Sequence, residues 1–132
     1  MNDAAPPTKK KRFPKSNKLL RHADFERVYK QGRRHFGAHI TVFYLGRTEQ
    51  EPTGTRIGFT VGKALGGAVQ RNRIKRRLRE AVRLHGFSES AAVDIVINPK
   101  RSVLAMEFAH LQGEVAKAFE VIAKFFEKGK RR

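Results

Sequence analysis

Residues 71–83, RNRIKRRLREAVR, form the segment of this chain whose residue types could do chemistry. The segment holds six arginines and one lysine but a single acid, Glu80. Arginine presents a planar fork of donors that can hold phosphate with two bonds and stack on bases, whereas lysine presents a point charge. Soluble surfaces usually mix both signs of charge, so seven neighbouring cations favour a polyanion partner over a merely solvated face. The segment therefore predicts binding to structured RNA or DNA.

The composition of the whole chain agrees with a polyanion partner and excludes several other classes. Its 132 residues suit one domain, and 29 Lys and Arg against 12 Asp and Glu give a formal net charge of +17. No run of about 18 apolar residues predicts a membrane span, and the early stretch TKKKRFPKSNK has no apolar segment typical of a secretory signal. Cysteine is absent, which excludes thiolate catalysis and cysteine-bound zinc and favours a cytoplasmic location.

Side chains that could catalyse a reaction or bind a metal are scattered. His35 and His39 are four residues apart in a predicted strand, which separates them by roughly 13 Å, too far for one metal ion. The segment GKALGG lacks the residue order of a phosphate-binding loop. Asp94 stands among apolar residues, where we expect its carboxylate to bond to the backbone. We therefore predict a binding protein with no catalytic residues and no bound metal.

Three aromatic residues could add a second mode of RNA binding. Phe25 and Tyr29 are four residues apart in a predicted helix, and Phe43 lies on the strand face opposite Ile40 and Val42. The unstacked bases of single-stranded RNA lie flat on such rings. Periodicity alone leaves a second interpretation open, in which these aromatic side chains simply pack the helix on the sheet.

Helical periodicity predicts three helices that would position these residues. Phe25, Val28 and Tyr29 indicate a short first helix that ends at Gly32. The basic segment has an apolar seam that spans about 100° of the helix wheel and consists of Ile74, Leu78, Ala81 and Val82. The last helix, over about 107–127, carries an apolar stripe of Phe108, Leu111, Val115, Phe119, Ile122 and Phe126. The basic segment is therefore a helix with one thin apolar seam and cations over most of its remainder.

Alternating and apolar runs predict three strands. The first extends over 36–44, with one face made of Phe36, Ala38, Ile40, Val42 and Tyr44. We expect it to form an antiparallel hairpin with the second, RIGFTVG, and the third is the buried run AVDIVINP. The order helix, strand, strand, helix, strand, helix predicts an α+β fold, an α/β sandwich with helices on a small mixed sheet.

The remaining segments predict one domain with basic extensions. Residues 1–18 are polar, basic and proline-containing, so we expect a flexible arm, with KKKR acting on phosphates rather than as a localisation tag. We expect the folded domain over 19–127 and a basic tail over 128–132. RTEQEPTGT and GFSES are predicted to be a polar turn and a loop.

The segment RNRIKRRLREAVR, preceded by IGFTVGKALGGAVQ, resembles the signature region of the protein subunit of bacterial ribonuclease P. LLRHADFERVYKQGRR is similar to the amino-terminal helix of that family. Together with the order of elements, the resemblance covers roughly residues 17–125. It implies an α/β sandwich with a left-handed crossover, in which the basic helix joins two parallel strands. About 98% of such crossover connections are right-handed, so physical reasoning alone would predict the opposite hand.

The resemblance also implies the function and the partners. Ribonuclease P is a ribonucleoprotein endonuclease that removes the 5′ leader of precursor tRNA, and its RNA subunit is the catalyst and uses magnesium. The expected partners of the protein are therefore the catalytic RNA subunit and the single-stranded leader, with no membrane and no obligate protein partner. The protein is expected to raise substrate and magnesium affinity, to contribute no catalytic residue and to bind no cofactor itself.

Site residues carry over from the family by matching positions. The aromatic and basic positions of the leader-binding cleft match Phe25, Tyr29, Phe43 and Lys63, with Tyr29 standing where many relatives have phenylalanine. The basic helix that faces RNA matches Arg71, Asn72, Arg73, Lys75, Arg76 and Arg79, and we expect Arg77 and Arg83 to join this surface. Two departures bear on the rim of the cleft, namely Ala64 where relatives often have a second cation, and Gly66-Gly67 where they often have Gly-Asn.

Two other functions are compatible with a basic helix. A small ribosomal-type structural RNA-binding protein would have the helix but no leader cleft. A nuclease acting by itself would need a metal-binding carboxylate cluster, and the sequence shows none.

Overall fold

A computed structural model describes residues 21–48, 54–86 and 92–130, with side chains as far as residue 127. The predicted arm over 1–18, the centre of the predicted turn and nearly all of the GFSES loop lie outside the described residues, as do the last two residues of the predicted tail.

The described chain forms a mixed four-stranded sheet with three helices, which confirms the α+β fold class. In chain order the elements are α1 (His22–Gln31), β1 (Arg33–Phe36), β2 (Ile40–Gly46), β3 (Gly54–Phe59), α2 (Ala68–His85), β4 (Ala92–Pro99) and α3 (Phe108–Lys130). Two short 3-10 turns follow β3 and β4, at Lys63–Leu65 and Arg101–Leu104.

The strand order β1-β2-β4-β3 shows that the predicted hairpin between the β2 and β3 segments is wrong. β4 lies between them, antiparallel to β2 and parallel to β3. β4 is buried on both faces, as Ile95, Val96 and Ile97 show. A strand that is apolar on both faces belongs at the centre of a sheet, with a neighbour on each side. The basic helix α2 therefore joins two parallel neighbours, as predicted, while the left-handedness of this crossover stays a prediction.

The predicted strand over 36–44 is broken into two strands. β1 folds back on β2, and the tight turn between them is closed by the Gly37 amide, which donates to the Ile40 carbonyl at 2.8 Å. The Glu114 carboxylate of α3 accepts the amides of His39 and Ile40 at 2.8 and 3.0 Å, respectively. Phe36 consequently pairs with Thr41, and the prediction that it shares the face of Ile40 is wrong.

The main core lies between one face of the sheet and the pair of helices α2 and α3. The predicted seam of α2 is buried, with Ile74, Leu78 and Val82 at zero exposure. Four residues of the predicted α3 stripe are also buried, namely Leu111, Val115, Phe119 and Ile122, and its two end phenylalanines pack against the core. These helical periodicities are therefore confirmed.

Helix α1 covers the opposite face of the sheet. Its Val28 and the Val96 side chain of β4 are fully buried there. The helix ends before Gly32, as predicted, but the glycine has an ordinary φ of −81°. A Cβ at Gly32 would lie 2.5 Å from the Val28 carbonyl oxygen and 2.7 Å from that of Tyr44, so close backbone approach requires glycine here.

Candidate nucleic-acid interface

Tyr29 and Phe43 meet on the α1 side of the sheet. Their ring centroids are 4.8 Å apart at an interplanar angle of 87°, an edge-to-face contact. Tyr29 keeps 38% of its surface exposed. Its hydroxyl lies 2.6 Å from Thr60 Oγ1 and donates to Asn98 Oδ1 at 3.0 Å, which fixes the orientation of the ring. The structure thus brings together two of the aromatic residues that the sequence singled out.

A cation and a third ring adjoin this pair. The guanidinium carbon of Arg34 lies 5.8 Å from the centroid of Phe43 and 5.7 Å from that of Phe36, within the range of cation–π contact. Phe36 is 71% exposed. We refer to Tyr29, Phe36, Phe43 and Arg34 as the aromatic surface. Sequence reasoning missed Phe36 and Arg34, because an unbroken strand would have placed Phe36 in the core.

The other two residues predicted for the leader cleft belong to segments that also contribute to, or contact, the aromatic surface. Phe25 lies one helical turn before Tyr29 in α1 and is half-buried. Lys63 is exposed and begins the 3-10 turn after β3, three residues beyond Thr60, which contacts Tyr29. Lys63 is therefore close along the chain to Thr60, and its place at the rim of a leader cleft stays a prediction.

The basic helix α2 presents a row of cations to solvent. Asn72, Arg73, Arg76 and Arg79 are all exposed. Among the residues that the structure describes, none of these three arginines has an acidic partner. The first turn of the helix contains no acid, and its start at Gly67 has no side-chain cap. This side of α2 is therefore uncompensated positive charge held in fixed positions by the buried seam.

Three other arginines of α2 also bond within the protein. The Nε of Arg71 donates to the Gly66 carbonyl at 3.2 Å. Arg77 is half-buried, donates to the Met106 carbonyl and lies 5.9 Å from the ring centroid of Phe108. Arg83 pairs with Glu80, which lowers the pKa of that carboxyl and raises the pKa of the guanidinium. RNA contacts of these three arginines, and of the half-buried Lys75, stay predictions.

The aromatic surface and the seam of α2 belong to opposite faces of the sheet. Phe43 and Tyr44 are successive residues of β2, so their side chains point in opposite directions. Phe43 contacts α1, whereas Tyr44 contacts Phe125 and Phe126 of α3 within the core that α2 completes. The two candidate RNA-binding regions are therefore separate surfaces of one domain.

Comparison with known proteins identifies the family. The family model described as Ribonuclease P matches residues 13–123. The chain belongs to the ribonuclease P protein family. The ribonuclease P protein component of Symbiobacterium thermophilum is 41% identical over 106 residues, which cover 80% of this chain and 90% of the relative. That of Desulforapulum autotrophicum is 36% identical over 112 residues, covering 85% and 93%, respectively.

Solved ribonuclease P proteins share this fold. The 2.0 Å structure of the Staphylococcus aureus RNase P protein superposes with a TM-score of 0.68 at 32% identity, covering 83% of this chain and 97% of that one. The Thermotoga maritima RNase P protein has a TM-score of 0.66 at 21% identity, covering 77% and 94%, and this likeness concerns the fold alone.

Membership of the family confirms the predicted class of activity. The chain is an RNA-binding protein component of ribonuclease P, a ribonucleoprotein endoribonuclease of tRNA processing, and its partner is the ribonuclease P RNA. Within the described ranges, no helix is long and apolar enough to cross a membrane. In the same part of the ribonuclease P protein, no three histidine or acidic side chains are grouped to hold a metal ion.

A buried ionic cluster lies near the start of β4, and it corrects the prediction for Asp94. Asp94 is fully buried, and its carboxylate accepts hydrogen bonds from three arginine side chains rather than from the backbone. The donors are Arg47 at 2.6 Å, Arg56 at 2.8 Å to each oxygen, and Arg27 at 3.0 Å. Burial raises the pKa of Asp94, but the bonds from Arg56 and Arg47 outweigh it, so its pKa lies below the ordinary value.

The ionic cluster ties α1 to the sheet in this ribonuclease P protein. Arg27 belongs to α1 and Arg56 to β3, while Arg47 follows β2 and its side chain is 1% exposed. Asp24 of α1 lies 3.5 Å from Arg56. No local pattern could reveal this cluster, because its members are up to 67 residues apart.

Proposed function

We propose that this chain binds the single-stranded 5′ leader of precursor tRNA on the aromatic surface and the ribonuclease P RNA through helix α2. By holding both RNAs it would raise the affinity of the ribonucleoprotein for substrate and for magnesium, while the RNA subunit carries out the cleavage. The observation that carries the proposal is the fixed, partly exposed Tyr29–Phe43 pair with Arg34 over it.

Exposed rings beside a cation suit a single strand better than a duplex. Bases within a duplex are already stacked on one another, whereas those of a single strand can lie on a ring. A cation near the rings adds attraction for the phosphates and for the base faces. Phe36 at 71% exposure and Tyr29 at 38% have the open area that such stacking needs. The leader is the single-stranded part of the substrate, so it is the segment that fits.

The charge on α2 suits the backbone of a folded RNA. Arg73, Arg76 and Arg79 are exposed and spaced by three residues along the helix. Each cation that neutralises a phosphate releases condensed counterions, so binding through this face would depend strongly on salt. Because the two surfaces lie on opposite faces of the sheet, one chain could hold the RNA subunit and the leader at the same time.

Two simultaneous attachments account for the proposed effect on affinity. Once the RNA subunit holds the tRNA body, the leader meets the aromatic surface at a high effective concentration. The positive charge of the chain would also offset repulsion among phosphates, which reduces the magnesium that the RNAs require to come together. We expect magnesium to be bound by the RNA subunit and propose no cofactor for the protein.

The test is a reconstitution of full-length chain, ribonuclease P RNA and precursor tRNA at low magnesium. Wild type should stimulate 5′ cleavage, and Phe43→Ala should weaken precursor binding by roughly 1 to 3 kcal/mol, the usual worth of one base stack. Mature tRNA, which has no leader, should bind to wild type and Phe43→Ala about equally.

Phe125→Ala is the matched control for Phe43→Ala. Phe125 is also partly exposed and has a cation over its ring, with the Arg33 guanidinium 4.4 Å from its centroid, but it lies on the α3 side of the sheet. Phe125→Ala should leave the difference in affinity between precursor and mature tRNA unchanged. Equal losses for both RNAs in Phe43→Ala would contradict leader binding, and cleavage without the RNA subunit would indicate a nuclease.

A further inference from the structure

Three polar groups beside the aromatic surface form a hydrogen-bonded chain with one direction. The Tyr29 hydroxyl donates to Asn98 Oδ1 at 3.0 Å and lies 2.6 Å from Thr60 Oγ1. A phenol has a single hydrogen, which Asn98 receives, so the Thr60 hydroxyl must donate to the phenol oxygen. The chain of bonds therefore runs from Thr60 through Tyr29 to Asn98.

This direction determines what Asn98 can offer to a ligand. Its carbonyl oxygen is engaged by Tyr29, and its amide nitrogen retains two N–H donors. Asn98 pairs with Thr41, while Phe43 pairs with Val96 two residues away on the same face. Asn98 is only half-buried. Its donors therefore stand at the border of the rings, where a base stacked on Tyr29 or Phe43 would present its edge.

We propose that Asn98 gives the protein a preference for keto bases, guanine or uracil, over amino bases at one position of the bound leader. This inference rests on the proposed function. Guanine O6 and uracil O4 accept a hydrogen bond from an N–H donor, whereas adenine and cytosine carry an amino group at that position and would oppose one donor with another. Rings alone tolerate every base, so the preference would come from Asn98.

The size of the preference follows from one hydrogen bond. A single net hydrogen bond in a partly hydrated site corresponds to a roughly 3- to 10-fold difference in affinity. Tyr29 acts here as a positioning residue as well as a stacking ring, because its hydroxyl orients the Asn98 amide. Without that hydroxyl, the amide could turn its oxygen toward the base and accept from an amino group.

The experiment uses the holoenzyme, reconstituted from the full chain and ribonuclease P RNA. Precursor tRNAs are varied one leader position at a time, and the ratio of affinities for keto and amino bases is measured at each. Asn98→Ala should bring the ratio of affinities for keto and amino bases close to one at one leader position. Asn98→Asp replaces the donors by acceptors and should shift the ratio toward adenine and cytosine, since a general repulsion of RNA cancels in a ratio.

Tyr29→Phe separates the hydroxyl from the ring. It should reduce the keto preference at the same leader position that Asn98→Ala affects, because the Asn98 amide then loses the bond that orients it. A wild-type holoenzyme that binds precursor more tightly than mature tRNA, yet shows no keto preference or one that Asn98→Ala leaves intact, would overturn this inference and leave leader binding standing. Equal affinities of the wild-type holoenzyme for precursor and mature tRNA would instead overturn leader binding, and this inference with it.

Discussion

Two groups of arginines in this protein differ in burial and in whether they have an acidic partner. The buried cluster contains Arg27, Arg47 and Arg56 around the carboxylate of Asp94. The exposed row on α2 contains Arg73, Arg76 and Arg79, which have no acidic partner among the residues that the structure describes. The first group holds together α1, β3, β4 and the segment after β2, whereas the second is available to a polyanion.

The difference shows that net charge is a poor guide to which cations bind RNA. A guanidinium opposite a buried carboxylate is committed to the fold, since removing either partner leaves an uncompensated charge in the interior. A guanidinium on a solvated face contributes little to stability and keeps its donors for phosphate. The two groups of arginines differ in whether they contact one acid, Asp94.

The largest expected effect is from Asp94→Asn. An amide cannot neutralise the arginines that Asp94 binds, so we expect a loss of about 3 to 5 kcal/mol in the free energy of unfolding. Urea unfolding followed by circular dichroism measures it. Glu80→Gln removes a carboxylate whose side chain is 45% exposed and which pairs with Arg83 in α2, so it should cost only about 0 to 1 kcal/mol. Comparable losses in the two variants would remove the distinction between a fully buried and a partly exposed carboxylate.

The buried cluster should also make stability depend on pH. The pKa of Asp94 is lowered in the folded state, so its contribution is complete above the ordinary carboxyl pKa of about 3.9 and is lost as pH falls toward the lowered value. The free energy of unfolding of wild type should therefore decline below about pH 4 more steeply than that of Asp94→Asn. Denaturant titrations at a series of acid pH values test this, and parallel declines would contradict it.

Arg77→Ala should lower stability, because Arg77, unlike the exposed arginines of α2, bonds within the protein. Its bond to the Met106 carbonyl and its contact with Phe108 join α2 to the start of α3, so we expect a loss of about 1 to 2 kcal/mol in stability. Thermal unfolding measures the change, with Arg79→Ala as the control from the same helix. If Arg77→Ala unfolds like wild type, its partly buried contacts contribute nothing to the fold.

The exposed row should show the opposite behaviour, with the smallest effect on stability. Arg73→Ala, Arg76→Ala and Arg79→Ala should each change the free energy of unfolding by less than about 0.5 kcal/mol. Each that loses a phosphate contact should flatten the dependence of log affinity for RNA on log salt by roughly 0.7 to 0.9. Slopes that match wild type for all three would indicate a merely solvated face.

Prediction from sequence succeeded where neighbours along the chain carry the information. The seam Ile74, Leu78 and Val82 follows the 3.6-residue period, so the helix, its buried side and its outward cations were all predictable. The meeting of Tyr29 and Phe43 was predicted through the family resemblance. Phe36 and Arg34 were missed because the turn at Gly37 breaks an alternation that otherwise continues.

The sequence by itself determined the helical faces, the excess of positive charge and membership of the ribonuclease P family, because each depends on residue type and short spacing. Only the tertiary structure decided that β4 separates β2 from β3, and that Asp94 binds Arg27, Arg47 and Arg56. Strand order and buried ion pairs join residues that are far apart in the chain. Their free energy depends on burial and on distances that exist only after the chain has folded.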